Sequence, residues 1–201
     1  MSKKRPKPRN HSRRIRVVRE ADLDRAIELD PDQADAIVDR GMSYLAMGRH
    51  EDALADFDRA IELDAADAGT IALRGSTYAV MGRNDQALAD FDRAIELGTA
   101  DAGTIALRGS TYLAMERYDQ ALADFDRAIE LDVDQAWIIA LRGLAYRMTG
   151  RYDQALADFD RAIELDPTED EFAAARTEIC QLIGRSDTDD ALPGNPGTKG
   201  T

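Results

Sequence analysis

The string Asp-Arg-Ala-Ile-Glu-Leu begins at Asp24, Asp58, Asp92, Asp126 and Asp160, each start 34 residues after the last. A fixed period of this size means one small supersecondary unit stacked on copies of itself. No single unit can bury its own hydrophobic face, so the core exists only between neighbours. Other landmarks keep the same register. Arg-Gly recurs at Arg40-Gly41, Arg74-Gly75, Arg108-Gly109 and Arg142-Gly143, and Tyr44, Tyr78, Tyr112 and Tyr146 follow three residues after each glycine. Ala53, Phe57 and Ala60 then recur with the same period through Ala155, Phe159 and Ala162.

Each unit reads as two helices. In the second, Ala53, Leu54, Phe57, Ala60 and Ile61 stand at i, i+1, i+4, i+7 and i+8, one apolar stripe of an α-helix. Asp56, Asp58, Arg59 and Glu62 are expected on the opposite, solvated face. The first helix is expected from about Ala34 to Met47, with Ile37, Gly41 and Tyr44 on its packing face. Gly48, Gly82 and Gly150 stand where it should end in a left-handed cap. Asp85, Asp119 and Asp153 are candidate N-caps of the second helices.

Period, helix pair and the Gly-Tyr-Ala-Phe-Ala ladder resemble the tetratricopeptide repeat (TPR), over about residues 20–183. The resemblance implies an all-α fold, a right-handed α-solenoid of antiparallel helix pairs. The chain departs from the family pattern in places. Arg40, Arg74, Arg108 and Arg142 replace the usual Leu before glycine, Ile37, Ile71, Ile105 and Ile139 replace a Trp, and Glu116 stands in the column of Gly48.

The register divides the chain into a basic arm (1–19, disordered or partly helical), a half repeat (20–33), and full repeats 34–67, 68–101, 102–135 and 136–169. A capping helix (169–183) and a disordered tail (184–201) follow, the cap covering the last repeat with Phe172, Ala173, Ile179 and Leu182. The half repeat is a second helix without its first, so Leu23, Ala26 and Ile27 lack part of their cover. The expectation is concentration-dependent self-association through this end, as a head-to-head dimer.

Charge separates the arm from the body. Residues 1–20 carry nine Lys/Arg against Glu20 alone, net +8, and the remainder carries 17 against 38 acidic residues, net −21. Without interleaved aromatics, and with an acidic body behind it, the arm supports at best non-specific nucleic-acid association. The arm could instead dock on an acidic helix face. A regulatory module or fragment of a larger repeat assembly is a further reading. No apolar run approaches the roughly 20 residues needed to span a bilayer. With Cys180 alone, no internal disulfide forms, and the chain reads as soluble and cytoplasmic.

No enzyme constellation is present. His11 and His50 have no Cys or His at ligand spacing, Ser76 and Ser110 have no nearby His, and there is no phosphate-binding loop. No metal and no cofactor is expected. Cys180 falls in the tyrosine column and reads as a packed thiol. The arginine column invites a phosphate-binding reading, but bonds to Asp side chains between helices account for it as well.

The remaining function is to hold another polypeptide. In the TPR family the inner groove is lined by the first helices. Carrying its columns over gives Val38, Asp39, Met42 and Leu45, then Ala72, Leu73, Ser76 and Ala79, then Ala106, Leu107, Ser110 and Leu113. The last unit contributes Trp137, Ala140, Leu141, Leu144 and Arg147. The Lys, Asn and Arg with which one branch of the family grips a terminal carboxylate are missing. A small apolar surface with a Leu73-Leu107-Leu141 row remains, suited to an extended or helical peptide unless the leucines tuck between helices.

Overall fold

The computed structural model describes residues 22–63, 68–98, 101–132 and 135–189, and every regular element among them is an α-helix. They are α1 (22–29), α2 (Ala34–Ala46), α3 (His50–Glu62), α4 (Ala68–Val80), α5 (Asn84–Glu96), α6 (Ala102–Ala114), α7 (Tyr118–Leu131), α8 (Ala136–Met148), α9 (Tyr152–Leu165) and α10 (Asp170–Asp189). The architecture is a solenoid of helix pairs. It divides into two compact units, Met1–Ala100 and Asp101–Thr201. In the first, α2 packs on α3, α3 on α4 and α4 on α5; in the second, each of α6 to α9 packs on the next and α9 on α10. The most extensive contacts are those within a repeat.

The 34-residue ladder is the core. Phe57, Phe91, Phe125 and Phe159 are fully buried, as are Ala53, Ala60 and Ile37 with their counterparts through most of the array. The glycine of each first helix explains how the paired helices come so close. A Cβ on Gly41 would lie 2.7 Å from the Phe57 ring, and one on Gly109 3.0 Å from Phe125. Only hydrogen fits under the ring.

The turn between helices is fixed at both sides. Gly48, Gly82 and Gly150 take φ near +73, +72 and +73°. The Arg49 N–H then donates back to the Tyr44 carbonyl at 2.9 Å, a Schellman closure repeated at Arg83, Arg117 and Arg151. Each of those arginines lays its guanidinium on the preceding tyrosine, 4.2 Å from the ring centroid for Arg49 on Tyr44 and 4.6 Å for Arg83 on Tyr78. Glu116 adopts the same left-handed turn without being glycine, at φ 59°.

Several expectations need correcting. Asp85, Asp119 and Asp153 do not cap: α5, α7 and α9 begin two residues earlier than that would require, with Arg83, Arg117 and Arg151 at the N-cap, and no side chain closes the cap. The aspartates sit in the first turn, where a negative charge complements the helix dipole. A side-chain cap does close α6, where Asp101 accepts the Thr104 N–H at 2.8 Å.

Asp56 is not on a solvated face. It is 5% exposed, and Asp90, Asp124 and Asp158 are each 6% exposed. Arg40 donates through Nε and Nη2 to both Asp56 oxygens at 2.8 and 2.7 Å, and through Nη1 to Asp24 at 3.0 Å. Arg74 does the same with Asp90 and Asp58, and Arg142 with Asp158 and Asp126. Arg108 holds Asp124 in the same fork. In α3, α7 and α9 the two aspartates thus serve opposite directions: the first binds its own repeat's arginine, the second the next one's. The bond to the buried aspartate holds the Arg40, Arg74 and Arg142 guanidinia above their already high pKa, against the opposing effect of burial. The column is therefore engaged in structural ion pairs rather than presented to a phosphate.

The C-terminal helix also differs. It runs six residues past the expected end at 183 and passes through Gly184, in the column of Gly48, without turning left-handed. It packs through Phe172, Ala175, Ile179 and Ile183, whereas Ala173 and Leu182 are exposed. Cys180 is exposed, because none of the described helices covers the tyrosine column there. The basic arm and residues 190–201 lie outside the described residues.

Candidate partner-binding surface

The first helices α2, α4, α6 and α8 each bury one face against a second helix and leave another outward. In α2, Asp39 and Met42 are exposed while Val38 and Leu45 are half-buried. In α4, Leu73, Ser76 and Ala79 are half-buried and Ala72 is buried. In α6, Leu107 is exposed, Ser110 and Leu113 are half-buried and Ala106 is fully buried. In α8, Trp137 is exposed, Leu141, Leu144 and Arg147 are half-buried and Ala140 is buried.

Ala72, Ala106 and Ala140 therefore lie beneath the surface rather than on it, because an alanine one residue before the leucine column points between helices. The Ser76 and Ser110 hydroxyls donate to the carbonyls of Ala72 and Ala106, each at 2.9 Å, within their own helices. The leucines fall between the two expected outcomes. Leu73 and Leu141 are half covered, and Leu107 keeps 37% of its surface exposed.

The second unit holds a defined cavity. A cleft of about 410 Å³ opens between α8 and α10. Trp137, Ala140, Leu141 and Leu144 line it from α8, Phe159 forms part of its lining, and Phe172 and Ala175 close it from the α10 side. Glu169 and Glu171 are its exposed carboxylates. The Trp137 indole N–H donates to the Gln135 side chain at 3.1 Å, which fixes the ring's edge at the mouth. Beside the cleft, Arg147 of α8 donates to Glu178 of α10 at 2.6 Å. That guanidinium is thereby taken up in tying the two helices together. Apolar walls with few polar groups suit an apolar side chain.

The α10 contribution was legible but not read. Adding one more period to Trp137, Leu141 and Leu144 gives Glu171, Ala175 and Glu178, so the groove columns continue onto the capping helix. Among the described residues no group of three or more His, Cys, Asp or Glu is placed to hold a metal. None of the described helices is long and apolar enough to cross a membrane.

Comparison with known proteins agrees with this geometry. Sequence profiles of the tetratricopeptide repeat match residues 34–66, 102–134 and 136–169. No curated protein sequence matches the chain. Among solved structures it is similar to MamA, at 23% identity and a TM-score of 0.66, over 76% of this chain and 89% of that one. It is also similar to YrrB, described as a TPR protein with an unusual peptide-binding site, at 23% identity and 0.65, over 81% and 84%. A third is the first TPR of Spaghetti bound to an HSP90 peptide, at 21% and 0.57, over 59% and 94%. At these identities the likeness is one of fold. The register, the helix pairs and the profile matches agree that the chain belongs to the tetratricopeptide-repeat family.

Proposed function

We propose that this protein is a non-catalytic interaction scaffold that takes a peptide segment of a partner protein on the outward face of α6 and α8, anchored in the α8/α10 cleft. The observation that carries the reading is the cleft itself, apolar on both walls and flanked by Glu169 and Glu171. Two of the structural neighbours are described by their peptide sites or bound peptide, which supports the same class of ligand. The chemistry specifies the segment: one large apolar side chain, leucine or aromatic, with Lys or Arg beside it. The acidic body, net −21 outside residues 1–20, favours encounter with such a basic segment and disfavours an acidic one.

Trp137 is the chain's only tryptophan and stands at the mouth, so its fluorescence reports occupancy. Selection from a displayed peptide library should enrich apolar-basic segments that shift Trp137 emission, and Leu141→Asp should abolish the shift. Enrichment of acidic segments, or binding that leaves Trp137 and the Leu141→Asp variant unaffected, would overturn the assignment.

A further inference from the structure

The two ends of the helix array are complementary in register. Among the described residues, α1 is a second helix with no first helix on it and α10 is a first helix with no second helix on it. The contact missing at each end is the within-repeat one, the most extensive in the fold. The exposed columns show what has been left open. Leu23 and Ala26 are half-buried, although their counterparts Phe57 and Ala60 are completely covered. On α10, Ala173, Thr177 and Cys180 are exposed, although the matching Ile139, Gly143 and Tyr146 are buried or half-buried.

The ion-pair lattice is left open in the same way. Arg176 occupies the arginine column and keeps the upstream half of the pairing, donating to Asp160 at 2.5 Å. Its side chain is 42% exposed, against 18% for Arg74, which is forked on a buried aspartate as well. Asp22 occupies the column of Asp56, Asp90, Asp124 and Asp158, yet it is exposed and makes no ion pair among the described residues. One end lacks the carboxylate that the other end offers.

The steric departures also match. Every complete repeat sets a glycine under a phenylalanine, because a Cβ would meet the ring at 2.7–3.2 Å. At the ends the same two columns hold Thr177 and Leu23, a larger residue against a smaller and more adaptable one.

We infer that α1 of one copy docks on α10 of a second copy, head to tail, with Leu23 over Thr177 and Asp22 on Arg176, completing a repeat across the junction. The interface joins two different surfaces, so association does not stop by symmetry at a dimer.

Sedimentation of the full chain over a concentration series tests this. The wild type should form a ladder of oligomers. Asp22→Arg/Leu23→Asp blocks the head, and Thr177→Arg blocks the tail. Each variant alone should be monomeric, weakened by more than about tenfold, with helicity retained by circular dichroism. Mixed in equal amounts, the two variants still offer one intact head and one intact tail, and should give a dimer and nothing larger. A monomeric wild type with strong amide protection over 22–29 would overturn the proposal, because α1 would then be covered within its own chain. Dimers of the tail variant alone would overturn it too, since they would mean head-to-head pairing.

Discussion

Replacing Asp90 by alanine is the sharpest test of how the ion-pair lattice contributes to stability. Asp90 is 6% exposed and receives two bonds from Arg74, at 2.8 and 2.7 Å. Its loss leaves a guanidinium in a site that exposes only 18% of it. Breaking a buried pair from one side costs about 3–5 kcal/mol. Here the cost should fall at or below the low end, about 2–3 kcal/mol, because Arg74 keeps Asp58, which is 49% exposed and lets the charge lean toward water. In a unit of this size that lowers the melting temperature by about 10–20 °C. The double variant Arg74→Met/Asp90→Ala removes the stranded charge as well as the pair. It should therefore be no less stable than Asp90→Ala alone, with a coupling of about 1.5–3 kcal/mol in the cycle. Urea melts give the energies, and hydrogen exchange should place the loss in α4 and α5. Additivity of the single effects within about 0.5 kcal/mol would refute the reasoning, since the pair would then behave as two independent surface charges.

Glu116→Gly should stabilise the second unit by about 1 kcal/mol, because a side chain no longer has to occupy φ 59°; a matched pair of melts checks it. Phe125→Ala should cost about 3–5 kcal/mol, whereas Leu107→Ser, on a residue 37% exposed, should cost about 1 kcal/mol or less; comparable losses would mean that the leucine row is core. The Thr168 hydroxyl, and then its backbone N–H, donate to Asp166 and hold that carboxyl below its ordinary range. A pKa depressed in the folded state gives a contribution that is present at neutral pH and lost as pH falls toward the folded value. Thr168→Ala removes the hydroxyl and keeps the backbone N–H, so it should move the Asp166 titration up toward the usual range by NMR, and an unchanged titration would exclude the hydroxyl contact.

The fold was legible because a 34-residue register writes the same packing instructions repeatedly. Phe57, Gly41 and Ala60 were recognisable as core from spacing alone, and the structure buries all three. Asp56 was misplaced because a helical wheel reads polarity, and polarity does not tell a solvated carboxylate from one buried on a guanidinium. The signal was present: Arg40 and Asp56 stand 16 residues apart, and so do Arg74 and Asp90. Constancy of spacing between opposite charges on two different helices is a pairing signal that no single-helix pattern carries.

The candidate surface was legible only in part, for a different reason. Groove columns fix which face of a first helix looks outward, and Trp137, Leu141 and Leu144 do line the cleft. Depth, however, comes from the neighbouring helix. In α4 the residues of these columns are small or already half covered. At the last repeat α10 brings Phe172 and Ala175 opposite Leu141, and Arg147 holds α10 in place through Glu178. A residue's column predicts its direction, whereas a pocket needs two elements at a set separation. An ion pair between α8 and α10 bridges that separation here, so weakening it should widen the cleft before it unfolds the helix. Glu178→Ala removes an exposed partner and should cost at most about 1 kcal/mol. It should nevertheless change Trp137 emission and weaken peptide capture, and intact capture with unchanged emission would show that packing of Phe172 alone defines the site.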